Sequence, residues 1–303
     1  MLKQKHTSRA AEDRRVTLLS LLPAWIFLLA LIGYPLLKVV WDAFQNANLI
    51  DQTISGFAGL QNFRDAMADP HFGRAVRNTI IWTLGSVAGE FLIGLGAALL
   101  LNAKFRGRTF FRVAAFVPWL VPVVVAGMTW SWMANPDFGI INRFLVDLGL
   151  VDKGINFLGN ANYALAFVIM VNIWRTFPYY MVTFLAALQA IPAEEMEAAD
   201  LDGATGIRRF FNVTFPHLRS ASLIIVFVHL IWTAVNFDFI WIMTQGGPNY
   251  ATITLPILIY QHAIQKFNVG LASALSTMML VTTSLLFVVY YRMRSKLSSE
   301  LVG

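Results

Sequence analysis

Residues 193–204 read AEEMEAADLDGA, and residues 213–216 read VTFP. Both stretches belong to a polar, acidic segment that lies between two long hydrophobic segments of the chain. We call residues 190–218 the acidic loop. Because each flanking segment is long enough to cross a bilayer, the pattern predicts a loop that connects two membrane spans.

The composition of the whole chain is that of a membrane protein. Hydrophobic residues make up 57% of its 303 residues, and charged residues only 13%. Soluble chains carry about 25% charged residues, so this deficit is too large for a surface that faces water. The absence of cysteine excludes disulfides, thiolate metal sites and thiol catalysis. The net charge of +6 would suggest nucleic acid in a soluble protein, but here we expect lipid, and no nucleic acid, as a partner.

Six hydrophobic segments are long enough to span a bilayer, which needs about 20 mostly apolar residues. They are Thr17–Val40, Val76–Ala103, Phe111–Ala134, Tyr163–Leu188, Ser222–Met243 and Leu271–Tyr291. The fourth segment is interrupted by Arg175 and Pro178. The sequence therefore predicts an all-α polytopic membrane protein with six transmembrane helices and the acidic loop between the fourth and the fifth.

The distribution of Lys and Arg predicts the orientation of the spans. The basic segments are the N-terminal tail (Lys3, Lys5, Arg9, Arg14 and Arg15), the loop after the second span (Lys104, Arg106, Arg108 and Arg112), the acidic loop with its edge (Arg208, Arg209 and Arg219) and the C-terminal tail (Arg292, Arg294 and Lys296). Segments rich in Lys and Arg face the cytoplasm. We therefore expect both termini and the acidic loop to be cytoplasmic.

The acidic loop has the local signals of a short helix-turn-helix. Residues 193–201 are rich in Ala, Glu, Met and Leu, which favour helix, and the glutamates lie in the first turns, where they complement the helix dipole. Asp202 and Gly203 predict a helix stop, because Gly adopts the left-handed conformation that ends helices. A second short helix is expected over residues 207–213, before Pro216 turns the chain into the fifth span.

The acidic loop resembles the coupling loop of binding-protein-dependent ABC importer permeases. In that family Glu-Ala-Ala is followed after three residues by Gly and, after nine further residues, by an aliphatic residue, any residue, Leu and Pro. The match carries to Glu197, Ala198, Ala199 and Gly203, and it is extended by Asp200, Asp202 and Ala204. Phe215 stands where the family has Leu. The family's loop docks into a cleft on an ATPase, so the resemblance implies that these residues contact one.

A helix lying on the membrane surface without a protein partner is the alternative for the acidic loop. Such interfacial helices usually carry Lys or Arg on their polar face. The start of this helix is acidic instead, and acidic groups are repelled by an anionic leaflet. The docking interpretation is therefore favoured.

Three further stretches are similar to the sugar-type branch of this family, which includes uptake systems for maltose, oligosaccharides and glycerol phosphate. They lie at 72–79, 174–179 and 244–255. The resemblance implies a bacterial inner (plasma) membrane protein that works with a second homologous permease as a heterodimer, two ATPase subunits and an extracytoplasmic solute-binding protein. It implies ATP and Mg on the ATPase, and no cofactor, metal or catalytic residue in this chain, which lacks the Gly-rich phosphate-loop motif.

The same reasoning divides the chain into four parts. Residues 1–16 are predicted as a cytoplasmic tail and 17–75 as the first span with an extracytoplasmic segment. Residues 76–292 are predicted as the permease core, with its acidic loop, and 293–303 as a second cytoplasmic tail. Monosaccharide, disaccharide, oligosaccharide, sugar-acid and glycerol-phosphate permeases share this pattern, so it does not name the solute.

Ionisable residues at membrane depth are candidates for function. Glu90, Arg175 and Asp238 are of this kind, as is His229. Arg175 and Asp238, on the fourth and fifth spans, could pair across the helix interface. Such a pair, or another role at a helix interface, is favoured over direct contact with the solute. Glu90 is expected to face another helix rather than a solute.

Six residues are candidates for a sugar path, because amides form planar hydrogen bonds with sugars and aromatic rings stack on their apolar faces. They are Asn172, Trp174, Tyr179, Tyr180, Asn236 and Phe237. Trp and Tyr also gather at membrane interfaces for reasons unrelated to a ligand.

Glycines at 85, 89, 94 and 96 predict that another helix packs closely on the second span.

Two other classes of function remain open on the sequence alone. An ion-coupled secondary transporter of a small polar solute would use Glu90, Arg175 and Asp238, although such proteins often show two repeat-like halves, which this sequence lacks. An intramembrane enzyme would need a nucleophile with a base, or a metal motif, and the sequence shows neither.

Overall fold

A computed structural model describes residues 17–51, 53 and 55–300 of the chain. This part is all-α, without a β-strand. In chain order its helices are α1 (Thr17–Asp42), α2 (Gln61–Ala68), α3 (Phe72–Asn102), α4 (Arg108–Leu120), α5 (Val123–Met133), α6 (Ile140–Asp147), α7 (Ala164–Gln189), α8 (Ala193–Leu201), α9 (Gly206–Ala234), α10 (Asp238–Thr244), α11 (Leu255–Tyr260) and α12 (Val269–Glu300). The predicted N-terminal tail, 1–16, with its five basic residues, lies outside the described residues.

Five helices are long and apolar enough to cross a membrane: α1, α3, α7, α9 and the part of α12 up to Arg292. The helix pair α4 and α5 passes the same test together, which gives six spans if the pair is one. The predicted all-α polytopic fold is therefore confirmed.

The third span differs in shape from the prediction of one helix over Phe111–Ala134. It consists of α4 and α5, which are bent by 95° relative to each other. Val121 and Pro122 between them are extended, with ψ angles of 126° and 140°. The proline is the cause, because its ring disfavours the helical conformation of the preceding residue.

The fifth span also differs from the prediction of a helix over Ser222–Met243. Helix α9 starts at Gly206 and runs through a π-helical turn at Phe210–Thr214 without a break. The second short helix is thus joined to the span, and Pro216 does not redirect the chain. A proline inside a helix clashes with the carbonyl four residues earlier. The wider π turn lies directly before Pro216, where the Phe215 amide donates to Phe210, five residues back.

The described residues form two compact units, one of residues 17–68 and 261–280 and the other of residues 69–260 and 281–300. In the first unit, the segment after α1 is fixed by the buried side chain of Asn62. Its Nδ2 donates to the carbonyls of Ala43, at 3.0 Å, and Gln45, at 2.8 Å. Buried polar groups normally have such partners, so Asn62 stabilises this turn.

The second unit is built around the pairing of α3 with α7. A Cβ on Gly85 would lie 3.3 Å from Ile169, and one on Gly94 would lie 3.0 Å from the Phe177 carbonyl oxygen. Close packing at these glycines confirms the prediction that a helix approaches the second span. Gly96 has open space instead. Toward the C-terminal ends of α3 and α7, these two helices and α9 share a hydrophobic core. It includes Tyr180, Phe184, Leu218 and Ile225.

Candidate functional sites: the acidic loop and an intramembrane cavity

The first helix of the acidic loop ends as the sequence predicts. Helix α8 stops at Leu201, and Gly203 has a φ of +71°. The Gly203 amide donates to the Asp200 carbonyl at 3.1 Å, and the Ala204 amide donates to the Ala199 carbonyl at 2.9 Å. This pair of bonds is the Schellman motif, which satisfies the last carbonyls of a helix.

The predicted docking residues divide into a buried and an exposed set. Ala199 and Ala204 are each only 7% exposed and fill the inside of the turn. Their small size thus serves the fold of the loop, because a larger side chain would not fit there. The exposed residues are Glu197, Ala198, Asp200, Asp202 and Gly203.

Two apolar side chains of the loop were not among the predicted residues. Leu201 is 89% exposed and Ile207 is 78% exposed. Single exposed apolar residues are common, but these two lie on either side of the Gly203 turn. Their signal in the sequence is an aliphatic residue inside a polar stretch. The loop can therefore offer a protein surface both carboxylates and apolar contacts.

Two ion pairs and a groove complete the acidic loop. Glu195 lies 3.1 Å from Nε2 of His217, and Asp200 accepts from Arg209 at 2.6 Å. The groove between α8 and the start of α9 has a volume of about 380 Å³. Its lining includes Glu195, Ala198, Asp202, Arg208 and His217.

The second candidate site is a cavity of about 370 Å³ at membrane depth in the second unit. It brings together side chains from α3, α4, α7, α9 and α10. The residues that line it are Trp82, Glu90, Trp119, Asn172, Arg175, Thr176, His229, Trp232, Thr233, Val235, Asn236, Phe237 and Asp238. Ligand pockets combine apolar walls with a few placed polar groups, and this cavity has both.

The cavity collects half of the predicted sugar-path residues. Asn172, Asn236 and Phe237 line it. Trp174 instead packs edge-on against Trp130, with the ring centres 5.2 Å apart. Sequence reasoning missed Trp82, Trp119 and Trp232, because three tryptophans on different helices show no local pattern.

The two remaining candidates, Tyr179 and Tyr180, do not line the cavity but lie behind His229. The Tyr179 ring stacks on the imidazole at 5.0 Å between centres, and the Tyr180 ring meets it edge-on at 4.7 Å. Tyr180 is fully buried. Both tyrosines therefore support the cavity wall.

Glu90 is fully buried and holds the wall of the cavity together. Its Oε1 accepts from Nδ2 of Asn172 on α7 at 2.9 Å, and its Oε2 lies 3.0 Å from Nδ1 of His229 on α9. Three helices are thereby joined through one carboxylate. The expectation that Glu90 faces other helices is confirmed, although the residue also belongs to the cavity lining.

The expected ion pair between Arg175 and Asp238 is wrong: none joins them in the part of the chain that the structure describes. Nε of Arg175 donates to the carbonyl of Val121 at 3.3 Å. That carbonyl is available because the extended residues between α4 and α5 leave it outside a helical ladder. Asp238 is exposed at the start of α10. Both side chains line the cavity without pairing.

These features define a membrane protein with a solute-sized cavity among its spans and a folded polar loop between two of them. Residues 90–299 match the family of binding-protein-dependent transport system inner membrane components, and the chain belongs to this family. It is therefore a permease subunit of a binding-protein-dependent ABC importer and a membrane component rather than an enzyme. Nothing in these similarities supports an ion-coupled transporter.

Curated relatives agree with this assignment, and a solved structure shares the fold. The chain is 34% identical to the sulfoquinovosyl glycerol transport system permease protein SmoG of Agrobacterium fabrum, over 92% of this chain and 90% of SmoG. It is 30% identical to the trehalose/maltose transport system permease protein MalF of Thermococcus litoralis, over 89% of this chain and 90% of that protein. Its fold matches a chain in the crystal structure of a bacterial alginate ABC transporter in complex with alginate pentasaccharide-bound periplasmic protein. The TM-score is 0.82 at 21% identity, with 95% of this chain and 97% of that chain covered.

Proposed function

We propose that the chain forms half of the translocation pore of an ATP-driven importer for a sugar or sugar derivative. The other half is a second homologous permease, and two ATPase subunits and an extracytoplasmic solute-binding protein complete the complex. The observation that carries the proposal is the acidic loop, whose exposed Glu197, Ala198 and Gly203 lie on a folded helix-turn between two spans. The names of SmoG and MalF support a sugar as the solute.

In this proposal the acidic loop is the docking surface for the ATPase. Glu197 and Asp202 offer carboxylates to basic groups of the partner, as does Asp200 through the oxygen that is not bonded to Arg209. Leu201 and Ile207 offer apolar contacts. ATP and Mg bind to the ATPase subunits. The basic residues Arg208 and Arg209 within the loop favour a cytoplasmic position for it. In this proposal both termini lie on the same side of the membrane as the loop.

The cavity is the proposed path of the sugar. The amides of Asn172 and Asn236 can each donate and accept hydrogen bonds. The rings of Trp119, Trp232 and Phe237 offer flat apolar faces to a sugar ring. A solute of this kind would exchange its bonds to water for bonds to these groups.

The mechanism we propose is alternating access. ATP-driven closure of the ATPase subunits draws the acidic loop inward, and the spans rock so that the cavity opens toward a docked, loaded binding protein. ATP hydrolysis then restores the inward-facing state. The loop supplies the mechanical contact in this cycle, and the cavity supplies the contacts to the solute.

Uptake by the intact complex in proteoliposomes tests this function. The labelled solutes are maltose, trehalose and sulfoquinovosyl glycerol, each supplied with its purified binding protein. We expect uptake of at least one that requires ATP and persists when an ionophore removes the proton gradient. Uptake that collapses with the gradient and ignores ATP would overturn the proposal.

The matched variants for this assay are Glu197→Lys and Gly203→Asp. Both should abolish uptake while the chain still inserts into the membrane, because they alter the docking surface and leave the spans unchanged. Wild-type uptake by either variant would contradict the role of the loop.

A further inference from the structure

Helix α8 is fastened at both ends to the helix that follows it. Glu195 lies in the first turn of α8 and pairs with His217, and Asp200 lies in its last turn and pairs with Arg209. Both basic partners belong to α9. Two contacts at opposite ends of a short helix restrict its rotation as well as its translation relative to α9.

The geometry of His217 makes the first link specific. Nδ1 of its ring lies 2.9 Å from the Val213 carbonyl oxygen, and Nε2 lies 3.1 Å from Oε2 of Glu195. A carbonyl oxygen and a carboxylate oxygen are both hydrogen-bond acceptors, so each ring nitrogen of His217 faces an acceptor. The ring is thus held by its own helix on one side and holds Glu195 on the other.

Helix α9 continues from this link to the cavity. From His217 it runs without a break to His229 and Trp232, which line the cavity. The two histidines are twelve positions apart on the helix, a distance of about 18 Å at 1.5 Å per residue. At the far end, Nδ1 of His229 lies 3.0 Å from Glu90. One helix therefore joins the acidic loop to the wall of the cavity.

We propose that the Glu195–His217 and Asp200–Arg209 pairs make α8 and α9 move as one body, so that a displacement of α8 is transmitted to the cavity wall. This inference rests on the proposed function, because it requires the ATPase to displace α8. The four residues are positioning residues: they act through the helices that they join. The ion pairs stay closed throughout the transport cycle.

The exposure of these pairs makes the inference testable. The side chains of Glu195 and His217 are 49% and 35% exposed. Exposed ion pairs contribute little to stability, so breaking one leaves the fold intact. A change in the coupling between loop and cavity can then be separated from a loss of folding.

The test measures how the accessibility of the cavity changes when the ATPase acts on the acidic loop. The chain has no cysteine, so Trp232→Cys introduces the only thiol of this subunit, in the cavity lining. The intact complex is treated with a membrane-impermeant methanethiosulfonate reagent, with and without ATP and vanadate. Mass spectrometry of this subunit gives the labelling rate of the thiol in each state.

Four variants are compared in this background: Glu195→Lys, His217→Glu, the two together, and Glu194→Lys. The single variants break the pair, the double variant restores it with reversed charges, and Glu194→Lys is the matched control. Glu194 is exposed and has no ion pair in the described residues, so its replacement makes the same charge change without breaking a link.

In the parent and the Glu194→Lys control, ATP with vanadate should change the labelling rate about fivefold or more, as expected for coupled sites. Each single variant should lose this change and still retain the ATPase on purification, and the double variant should regain it. Single variants that respond like the parent, or a double variant no better than the singles, would overturn the inference and leave the proposed function standing. A parent complex without an ATPase, or without any response, would overturn both.

Discussion

The acidic loop and the intramembrane cavity each contain a carboxylate paired with histidine, but the two pairs differ in exposure. In the loop, Glu195 is 49% and His217 is 35% exposed. In the cavity wall, Glu90 is 0% and His229 is 4% exposed. Exposed pairs contribute about 0–1 kcal/mol, whereas loss of one partner from a buried pair costs about 3–5 kcal/mol. The cavity pair is therefore expected to stabilise the fold, whereas the loop pair can fix the position of α8 on α9 with little effect on overall stability.

The largest effect is expected at the turn of the loop. Gly203 has a φ of +71°, and a β-branched residue is a severe outlier in this region. Gly203→Val should therefore distort the turn and reduce uptake in proteoliposomes to background, while the chain still reaches the membrane. Gly203→Asn is the control, because Asn adopts the left-handed conformation more readily. Equal uptake by the Val and Asn variants would show that the turn geometry is unimportant.

The next largest effect is a loss of stability, expected when the Glu90–His229 pair in the cavity wall is broken. Glu90→Ala leaves Asn172 and His229 without their shared acceptor, so we expect the purified complex to lose about 3–5 kcal/mol of stability. Thermal unfolding in detergent measures this loss. Glu197→Ala in the loop should change stability by no more than about 0.5 kcal/mol, because its side chain is exposed. Similar unfolding temperatures for the two variants would remove the distinction between the sites.

A smaller effect is expected where α3 packs on α7 beside the cavity. A Cβ on Gly94 would lie 3.0 Å from the carbonyl oxygen of Phe177 and 3.1 Å from the amide nitrogen of Met181, and backbone atoms cannot move aside easily. Gly94→Ala should destabilise the complex by about 1–3 kcal/mol. Gly96→Ala is the matched control, since nothing lies within 4 Å of its Cβ position. Equal unfolding temperatures would contradict the close helix contact.

The smallest effect is expected from one cavity amide. Asn236→Ala removes a group that can bond the sugar, so KM for the transported sugar should rise about tenfold, the equivalent of one hydrogen bond of about 1.4 kcal/mol. ATP hydrolysis should change little, and the unfolding temperature should fall only slightly, because Oδ1 of Asn236 also accepts a hydrogen bond from the Phe239 amide at 3.3 Å. Asn236→Gln, which keeps the amide, should recover part of the affinity. An unchanged KM in the Ala variant would place the sugar path elsewhere.

The spans could be predicted from the sequence because hydropathy and length depend on local composition. Their bends could not be predicted, as three prolines show. Pro122 ends a helix and starts another, Pro178 lies inside α7, and Pro216 follows a π turn within α9. The same residue type thus has three outcomes, each decided by how the surrounding backbone can rearrange.

The candidate sites were predictable to different degrees for the same reason. The helix stop at Gly203 is set by neighbouring residues, so its position and conformation could be read from the sequence. The cavity depends on which side of each helix faces its neighbours. Asn172 and Tyr180 lie on the same helix, yet only Asn172 lines the cavity, and Trp82 is brought there from α3.

The central claim, that the acidic loop couples the permease to an ATPase, is tested most directly by purification from the native membrane in gentle detergent. Mass spectrometry should identify a second permease and a nucleotide-binding ATPase with the wild-type chain. With Glu197→Lys, the second permease should remain and the ATPase should be lost. Recovery of the wild-type chain alone or as a homodimer, or retention of the ATPase by the variant, would contradict the account.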